Sequence, residues 1–588
     1  MKRSMTNEYI VKKVFHKYLS VSIIATIAAT LGMLIDGVVV SNFLGSSAMA
    51  AFGLAGPIFM IFTAISGVFS NGSISACAKY LGQDDTKKLN ITFTAIILFS
   101  IVVSIILMGI CMLFSIPIAQ MLGAKNELIQ PTADYIRGLG MGAVPIVLST
   151  IVLSYARIDG SPDIGMKSII TMSAVNISLD FANALVFKQG MLGMAVATSI
   201  SYLAALLVAC IHFKRPNNTL RFVKAEQLLK SVKTVTITGA PNAINRLCNM
   251  ARTTVLNRLL LVVGGSMAVA ALSIQSTLNS ILGGVCLGVG STMLLLSGIF
   301  YGEEDKRALV DTVKVSLRTG FFMTTIISIV GIILAKPIVM IFARGDAELM
   351  NMAIRALTMF LISLPFYMVS VVAMNFYQST ENLFMANFVC ILDNFLLMVV
   401  FSGVLSVPFG LDGVWVSFIL CELMMIVALF LVVRVRTGIW PKKIEDFLMI
   451  SENVDQAVDC ELNLSLASDM SQVMKLSERI GEFCSANGVE EQRSNVLSLA
   501  IEEMAGNVVK YAFNDAKAHY MDIRILIKGD DIIFRMRDDG KYFNPLEQYQ
   551  KQASDDSYTQ NGIRLIHEMA KSMDYRNTVR LNNLIVRI

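Results

Sequence analysis

Two residues four apart, Asn176 and Asp180, stand inside the apolar run SIITMSAVNISLDFANALVF. A helix puts both on one face. An ionisable side chain at membrane depth costs about 3 kcal/mol on the mildest scale, so it is kept where it faces a polar cavity or a partner. Oxygen-bearing side chains converging on one face suit a hard cation or a proton; hydrogen bonds to a neighbouring helix are the bland alternative. A further acid, Asp36, lies mid-segment in LGMLIDGVVV. Far downstream, in a polar context, Glu503 and Asn507 are also four apart, Asp538-Asp539-Gly540 follows a strand pattern, and Gly562 opens a helical one.

The elements that must position these residues are apolar spans for the first set and a soluble fold for the second. The chain has 588 residues, 55% hydrophobic and only 16% charged, against about a quarter charged in soluble proteins. Charge is sparse over 18–440 and ordinary from Pro441 onward. With about 20 apolar residues needed per crossing, the pattern predicts about twelve spans, near 18–42, 50–78, 91–116, 132–156, 164–187, 191–213, 235–262, 267–299, 316–341, 352–378, 384–406 and 412–434. Connections rich in Lys and Arg alternate with poorer ones, which predicts that both termini are cytoplasmic. The N-terminal MKRSMTNEYIVKKVFHKY is basic and lacks an evident cleavage site, so it reads as retained. The nine cysteines form no CxxC pair and read as packing residues. A net charge of +5 carried mostly in loops gives no reason to expect nucleic acid.

The apolar region is duplicated. SSAMAAFGL (46–54) resembles SMAVAALSI (266–274), KYLGQDD (79–85) resembles IFYGEED (299–305), Pro117, Pro145 and Gly190 match Pro337, Pro365 and Gly410, and each pair is 220 positions apart. A six-span unit repeated in parallel is one recurrent plan for secondary transporters. The halves differ at the acids: Asp36, Asn176, Asp180 and Thr198 correspond to Leu256, Leu396, Val400 and Phe418. In the second half, Asp393 and Glu422 are buried acids at other positions, and Asp393 reads either as a cavity-lining group that attracts cations or as polar packing. Pro57, Pro145 and Pro365 are candidate kink points.

Residues 18–440 resemble the multidrug and toxic compound extrusion (MATE) family, through IDGVVVSNFLGSSAMAAFGLAGP, GSISACAKYLGQDD and YARIDGSPDIGMKSIITMSAVNISLD. The resemblance implies two six-helix lobes around a central cavity and export of drugs against inward flow of H+ or Na+. It also implies a cation site in the first lobe made of Asp36, Asn176, Asp180 and Thr198.

After Val454, ELNLSLAS reads as a strand, MSQVMKLSERIGEFCSANG and EEQRSNVLSLAIEEMAGNVVKYAF as helices, YMDIRILIKGD and DIIFRMRDDG as paired strands, GIRLIHEMAKSM as a helix and TVRLNNLIVRI as closing strands. The segments IEEMAGNVVKYAF, RDDGKYFNP and NGIRLIHEMA resemble the GHKL ATP-binding fold, most closely its anti-sigma-factor serine-kinase branch. That resemblance implies Asn507 as a Mg2+ ligand, Glu503 as a catalytic base, Asp538 as the adenine contact, and Gly540 and Gly562 as positions where backbone approaches ATP. Gln560 and Asn561 stand where the family has a further glycine. His519 and His567 read as structural.

The expected fold is therefore an all-α polytopic membrane protein of two six-helix repeats, plus a C-terminal α+β GHKL sandwich. The expected boundaries are 1–220 and 221–440 for the lobes, 441–454 for a linker and 455–588 for the cytoplasmic domain. The leading reading is a plasma-membrane, multi-pass antiporter, coupled to H+ or Na+, exporting small cationic or amphipathic compounds, with an ATP- and Mg2+-binding domain that regulates it. The phosphate loop G-x-x-x-x-G-K-[ST] of ATP-driven pumps is absent. Two rivals stand: a membrane-tethered serine/threonine kinase or ATPase switch acting on a cytosolic phosphoacceptor protein, and a flippase for a lipid or lipid-linked precursor.

Overall fold

The computed structural model describes residues 8–215, 218–224, 227–342, 347–449, 460–467, 469–513, 519–547, 566–579 and 581–588. The chain forms two compact units, one of Lys17–Met449 and one of Met1–His16 with Ile450–Ile588.

Helices make up the larger unit. The first half holds α1 (Tyr9–Val39), α2 (Ser46–Gly82), α3 (Thr86–Leu113), α4 (Ser115–Met121), α5 (Ile129–Met141), α6 (Ala143–Ile158), α7 (Pro162–Ala182) and α8 (Gly190–Cys210). The second holds α9 (Leu228–Leu282), α10 (Gly284–Gly302), α11 (Lys306–Ile333), α12 (Ala335–Phe342), α13 (Ala347–Ser379), α14 (Leu383–Ile391) and α15 (Leu397–Thr437). Among the described residues ten helical runs are long and apolar enough to cross a membrane, or eleven if the pair ending in α5 and α6 is one span. The run Leu383–Thr437 breaks at Gly410 (φ 57°), and α9 breaks at Gly265 (φ 67°). Counting the first as two spans, and joining the second part of α9 to α10, recovers the expected twelve.

The fourth span is expected to kink, if anywhere, at Pro145, and its bend lies three residues earlier. It bends by 47° between α5 and α6. Gly142 sits at the bend, where a Cβ would lie only 2.2 Å from Ser199 Oγ. The missing side chain is what lets α8 approach there. Pro145 is the third residue of α6, where a proline costs no hydrogen bond. It follows the bend and does not break a helix. Pro57 and Pro365 do lie inside helices, α2 and α13, as do Pro241 and Pro408 in α9 and α15.

Backbone geometry repeats with the 220-residue offset. Gly45 and Gly265 have φ of 88° and 67°, Asp84 and Glu304 of 68° and 55°, and Gly190 and Gly410 of 59° and 57°. Left-handed backbone at a non-glycine residue costs about 1 kcal/mol, so Asp84 and Glu304 record a turn that both halves require. The next residues cap the following helices: Asp85 accepts from the Lys88 N–H and Asp305 from the Ala308 N–H, each at 2.9 Å. A Cβ on Gly82 would lie 2.1 Å from the Ile299 carbonyl oxygen, and one on Gly302 would lie 2.1 Å from that of Lys79. The ends of α2 and α10 therefore meet backbone to backbone, with each half supplying one glycine.

The smaller unit is built on a five-stranded antiparallel sheet: β1 (Cys460–Ala467), β2 (Tyr520–Lys528), β3 (Asp531–Asp538), β4 (Ser572–Thr578) and β5 (Leu581–Arg587), in the order β1-β2-β3-β5-β4. Alternation along β3 sends Ile532, Phe534 and Met536 inward. They pack with Ile480, Leu497, Ile501 and Met504 from the helices Leu476–Ala486 and Glu491–Asn507. The helix expected from Met470 is divided into Met470–Val473 and Leu476–Ala486. Of the helix expected over 562–573, residues 566–569 are helical, but Ser572 already begins β4, and Met573 packs on the core as a strand residue.

Candidate functional site

In the first lobe the side chains of Asp36 on α1 and of Asn176 and Asp180 on α7 meet. The Asn176 Nδ2 donates to Asp36 Oδ1 at 2.5 Å and to Asp180 Oδ2 at 2.8 Å, so one amide bridges both acids. The Ser201 hydroxyl on α8 lies 3.0 Å from Asn176 Oδ1 and 2.7 Å from the Thr198 carbonyl, so its single proton is shared between these two acceptors and favours the amide oxygen on its side. Asp180 is fully buried, Asn176 nearly so, and Asp36 is half-buried. Asp180 Oδ1 has no hydrogen-bond partner. A buried carboxylate oxygen left unpaired is costly, and it is a ready seat for a proton or a cation. Thr198, one turn from Ser201, gives its hydroxyl to the Met194 carbonyl at 3.2 Å, with Tyr135 beside it, so its proton goes to the backbone and not to the carboxylates.

Ser201 and Tyr135 were not singled out from sequence. Ser201 had a signal: it is three residues after Thr198 and so lies on the same helix face. Tyr135, on a different helix, had none.

The second lobe has its own buried acids. Asp393 lies in the single wide turn Leu392–Leu396 between α14 and α15, and Glu422 lies on α15. The Ser370 hydroxyl on α13 reaches Asp393 Oδ1 at 3.1 Å and Glu422 Oε2 at 3.5 Å. The positions equivalent to the first-lobe set hold Leu256, Leu396, Val400 and Phe418, as the repeat requires.

In the smaller unit, Asn507 and Glu503 share a face of Glu491–Asn507, and Asn507 Nδ2 donates to Glu503 Oε1 at 3.2 Å. This leaves the Asn507 oxygen available, which suits the single protein ligand that Mg2+ commonly takes beside phosphates. Asp538 ends β3, is buried, and accepts from the Gly540 N–H at 2.9 Å and from Asn582 Nδ2 at 2.8 Å. Burial pushes its carboxyl up to about 7, against the pull of the Asn582 amide and the Gly540 N–H. Asn582 is held in turn by the Tyr575 hydroxyl at 2.7 Å. Asp538, Asn582, Tyr575 and Phe543 line a narrow cleft of about 10 Å³, room for a single water, so an adenine ring requires these side chains to part. Gly540 meets Ala512: a Cβ would sit 2.8 Å from the Ala512 Cβ. Gly562 lies outside the described residues. His519 stacks on Phe513 and pairs with Asp539 at 3.1 Å, a structural arrangement. Asn582 and Tyr575 were missed because strand pairing, and not any motif, brings them to Asp538.

A family model for MatE matches residues 22–182 and 241–404, more than half of the chain, and the chain belongs to that family. The model for a histidine kinase-like ATPase domain matches 466–588. Among curated proteins the chain is similar to the multidrug export protein MepA of Staphylococcus saprophyticus, 26% identical over 402 residues, covering 67% of this chain and 87% of that one. MepA of Staphylococcus aureus is 24% identical over 423 residues, covering 69% and 90%. Similar solved structures include MATE in the straight conformation (TM-score 0.66, 21% identity, 73% of this chain and 96% of that one). Another is a MOP superfamily transporter from Pyrococcus furiosus (TM-score 0.67, 21% identity, 74% and 99%). These likenesses establish the fold.

Proposed function

We propose that the protein is a cation-coupled exporter of small amphipathic or cationic compounds whose first lobe carries the coupling site. The observation behind this reading is the Asp36–Asn176–Asp180 bridge with one buried carboxylate oxygen unpaired. When protons or Na+ occupy the set, the charge buried on the lobe falls, and one packing of the helices is favoured over another. A coupling ion can drive alternating access only through such a difference in affinity between states. Asn176 holds the carboxylates together in either condition, and Thr198 and Ser201 support it from α8. The similarity to multidrug export proteins supports drugs as the cargo. The lobes are taken as 1–220 and 221–440, in the plasma membrane among its lipids, with both termini in the cytoplasm.

In this reading the region after the 441–454 linker binds ATP with Mg2+ and sets transport rate without powering it. Asn507 holds Mg2+, Asp538 meets the adenine amine, and Gly540 and Gly562 let backbone come close. The bonded pair Glu503–Asn507 also favours a second reading, in which Glu503 acts as base for phosphorylation of a cytosolic partner.

The test is efflux of a fluorescent cationic dye from vesicles holding the full chain, under imposed proton or sodium gradients, with and without Mg-ATP. Gradient-driven efflux that is lost in Asp180→Asn is the expected result. Dye movement that ignores both gradients would overturn the antiport reading. Asn507→Ala should abolish nucleotide binding and any ATP effect; unchanged ATP affinity would remove the Mg2+ assignment.

A further inference from the structure

The acids of the second lobe are not scattered. Shifted by 220 positions, Asp393, Glu422 and Arg252 correspond to Ser173, Tyr202 and Gly32 of the first lobe. Ser173 precedes Asn176 by three residues, Gly32 precedes Asp36 by four, and Tyr202 follows Thr198 by four. Each is one helical turn away. The shifts point the same way through the lobe, because α1 and α7 are odd-numbered spans and α8, an even one, runs opposite. The correspondence holds in space: a Cβ on Gly32 would lie 3.4 Å from Ser173 Oγ, and in the second lobe Arg252 acts electrostatically on both Asp393 and Glu422. The second lobe thus places its charged residues on the same three spans as the first-lobe set, one turn from the positions of Asp36, Asn176 and Thr198.

A cavity of about 210 Å³ opens beside this layer, lined by Glu422, Arg252, Tyr367, Asn249, Asn279 and Gln275. Gln275, only 3% exposed, forms part of its wall. A cavity of this size walled by amides and charged groups has both the room and the polar partners for water. The cavity reaches Glu422, so the acid layer has a polar way in.

We propose that Asp393 and Glu422 form a second proton site, used in the same transport cycle as the first-lobe set; this rests on the antiport reading above. Ser370 touches both carboxylates and holds them in one unit. With one shared proton the pair carries a single negative charge, which Arg252 offsets. Losing that proton leaves a net charge buried in the lobe, so release belongs to the state in which the cavity is open. The guanidinium argues for a proton over a metal cation, since a fixed positive charge already lies within electrostatic reach of the carboxylates. Cys421, the nearest soft ligand, is engaged, with its thiol donating to the Asp393 carbonyl at 3.5 Å. The other titratable groups facing the pair are Cys286 on α10, Tyr367 on α13 and Cys390 on α14.

Two measurements on the full chain test this. Infrared difference spectra of purified protein between acid and alkaline pH read protonated carboxyls directly. Glu422→Gln and Asp393→Asn should each remove carboxyl intensity that Asp180→Asn leaves in place; two acids are tested because one variant alone could misfold. Unchanged intensity in both variants overturns the proposal, as does loss of the band on adding NaCl at fixed pH, which would make the ligand Na+. In vesicles, the proton-to-dye ratio, taken from the dye gradient that balances an imposed pH difference, should fall by about one proton in either variant. An unchanged ratio also overturns it. If wild type moves no dye while the infrared result holds, the antiport reading fails and the proton site stands.

Discussion

The two lobes share their turns and differ in their charges. Gly82 and Gly302 make mirrored backbone contacts, and Asp85 and Asp305 cap equivalent helices at the same distance. The buried acids do not match in the same way. In the first lobe an amide bridges two aspartates; in the second a hydroxyl bridges an aspartate and a glutamate under the influence of an arginine. The difference teaches that the duplicated scaffold is specified by backbone geometry, which tolerates little change, whereas the charged layer moves by a turn without disturbing it. A side chain one turn along a helix faces the same neighbours, so relocation costs little packing.

The largest expected effect on transport breaks the lobes apart in function. Asp180→Asn removes the unpaired oxygen at the first-lobe set and should lower gradient-driven dye export on the order of 100-fold, the upper end of a coupling free energy between sites. Dye accumulation in vesicles, at matched protein density, reads it. If the second lobe alone sustains export, the first-lobe site is not the coupling site.

That asymmetry was partly legible in the sequence. Asn176 and Asp180 stood out because helical spacing and an apolar surround together demand a partner. Asp36 belonged with them only by family likeness, since no local pattern links residues 140 apart. The 220-residue offset was legible too, and it led to the equivalence of Asp36 with Leu256 and of Asp180 with Val400. It did not lead to the displaced layer, because Arg252 and Gln275, on either side of the break in α9, and Ser370 on α13 are brought together only by packing. The bend at Gly142 was hidden for the same reason: a glycine reads as tolerated inside a helix until Ser199 is seen against it. In the smaller unit the order of motifs gave Asp538, while Asn582 and Tyr575 depended on strand register.

Asp538, a buried acid of the smaller unit, extends the comparison beyond the two lobes. Its folded-state carboxyl titrates at about 7, above the ordinary carboxylate value of 3.8. The folded state therefore holds a proton that the unfolded chain has lost. Stability contributed at this residue falls as pH rises from about 4 to about 7 and is level above that, a loss of roughly 4 kcal/mol at most. Asp538→Asn should flatten that slope in pH-dependent thermal unfolding of the smaller unit within the full chain. An amine donor is held best by the ionised carboxylate, so nucleotide affinity should rise as pH approaches 7 by up to about tenfold per unit in wild type, level off above it, and stay level throughout in the variant.

Gly82→Ala and Gly302→Ala probe the shared scaffold. Each adds a Cβ at 2.1 Å from a backbone oxygen of the opposite helix, so α2 and α10 must separate. Overpacking of this kind costs about 1–3 kcal/mol. The two variants should lower the thermal midpoint of the full chain in detergent by similar amounts, because the contacts are mirrored. A large drop in one and none in the other would show that the lobes bear the interface unequally.

The smallest effect concerns how the first-lobe bridge keeps its direction. Ser201 donates to Asn176 Oδ1, and the Asn176 amide nitrogen then faces both carboxylates. Without Ser201 the amide is free to flip, but a flip would turn its oxygen toward two acids. Ionised carboxylates repel that orientation, so the bridge enforces itself once both protons are gone. Only the protonated form, which has an O–H to donate, gains an alternative. Ser201→Ala should thus cost about 1 kcal/mol, the net worth of one hydrogen bond, and slow dye export about fivefold at acid pH with little change at alkaline pH. An equal loss at both would mean that Ser201 supports the packing of α7 against α8 and not the bridge.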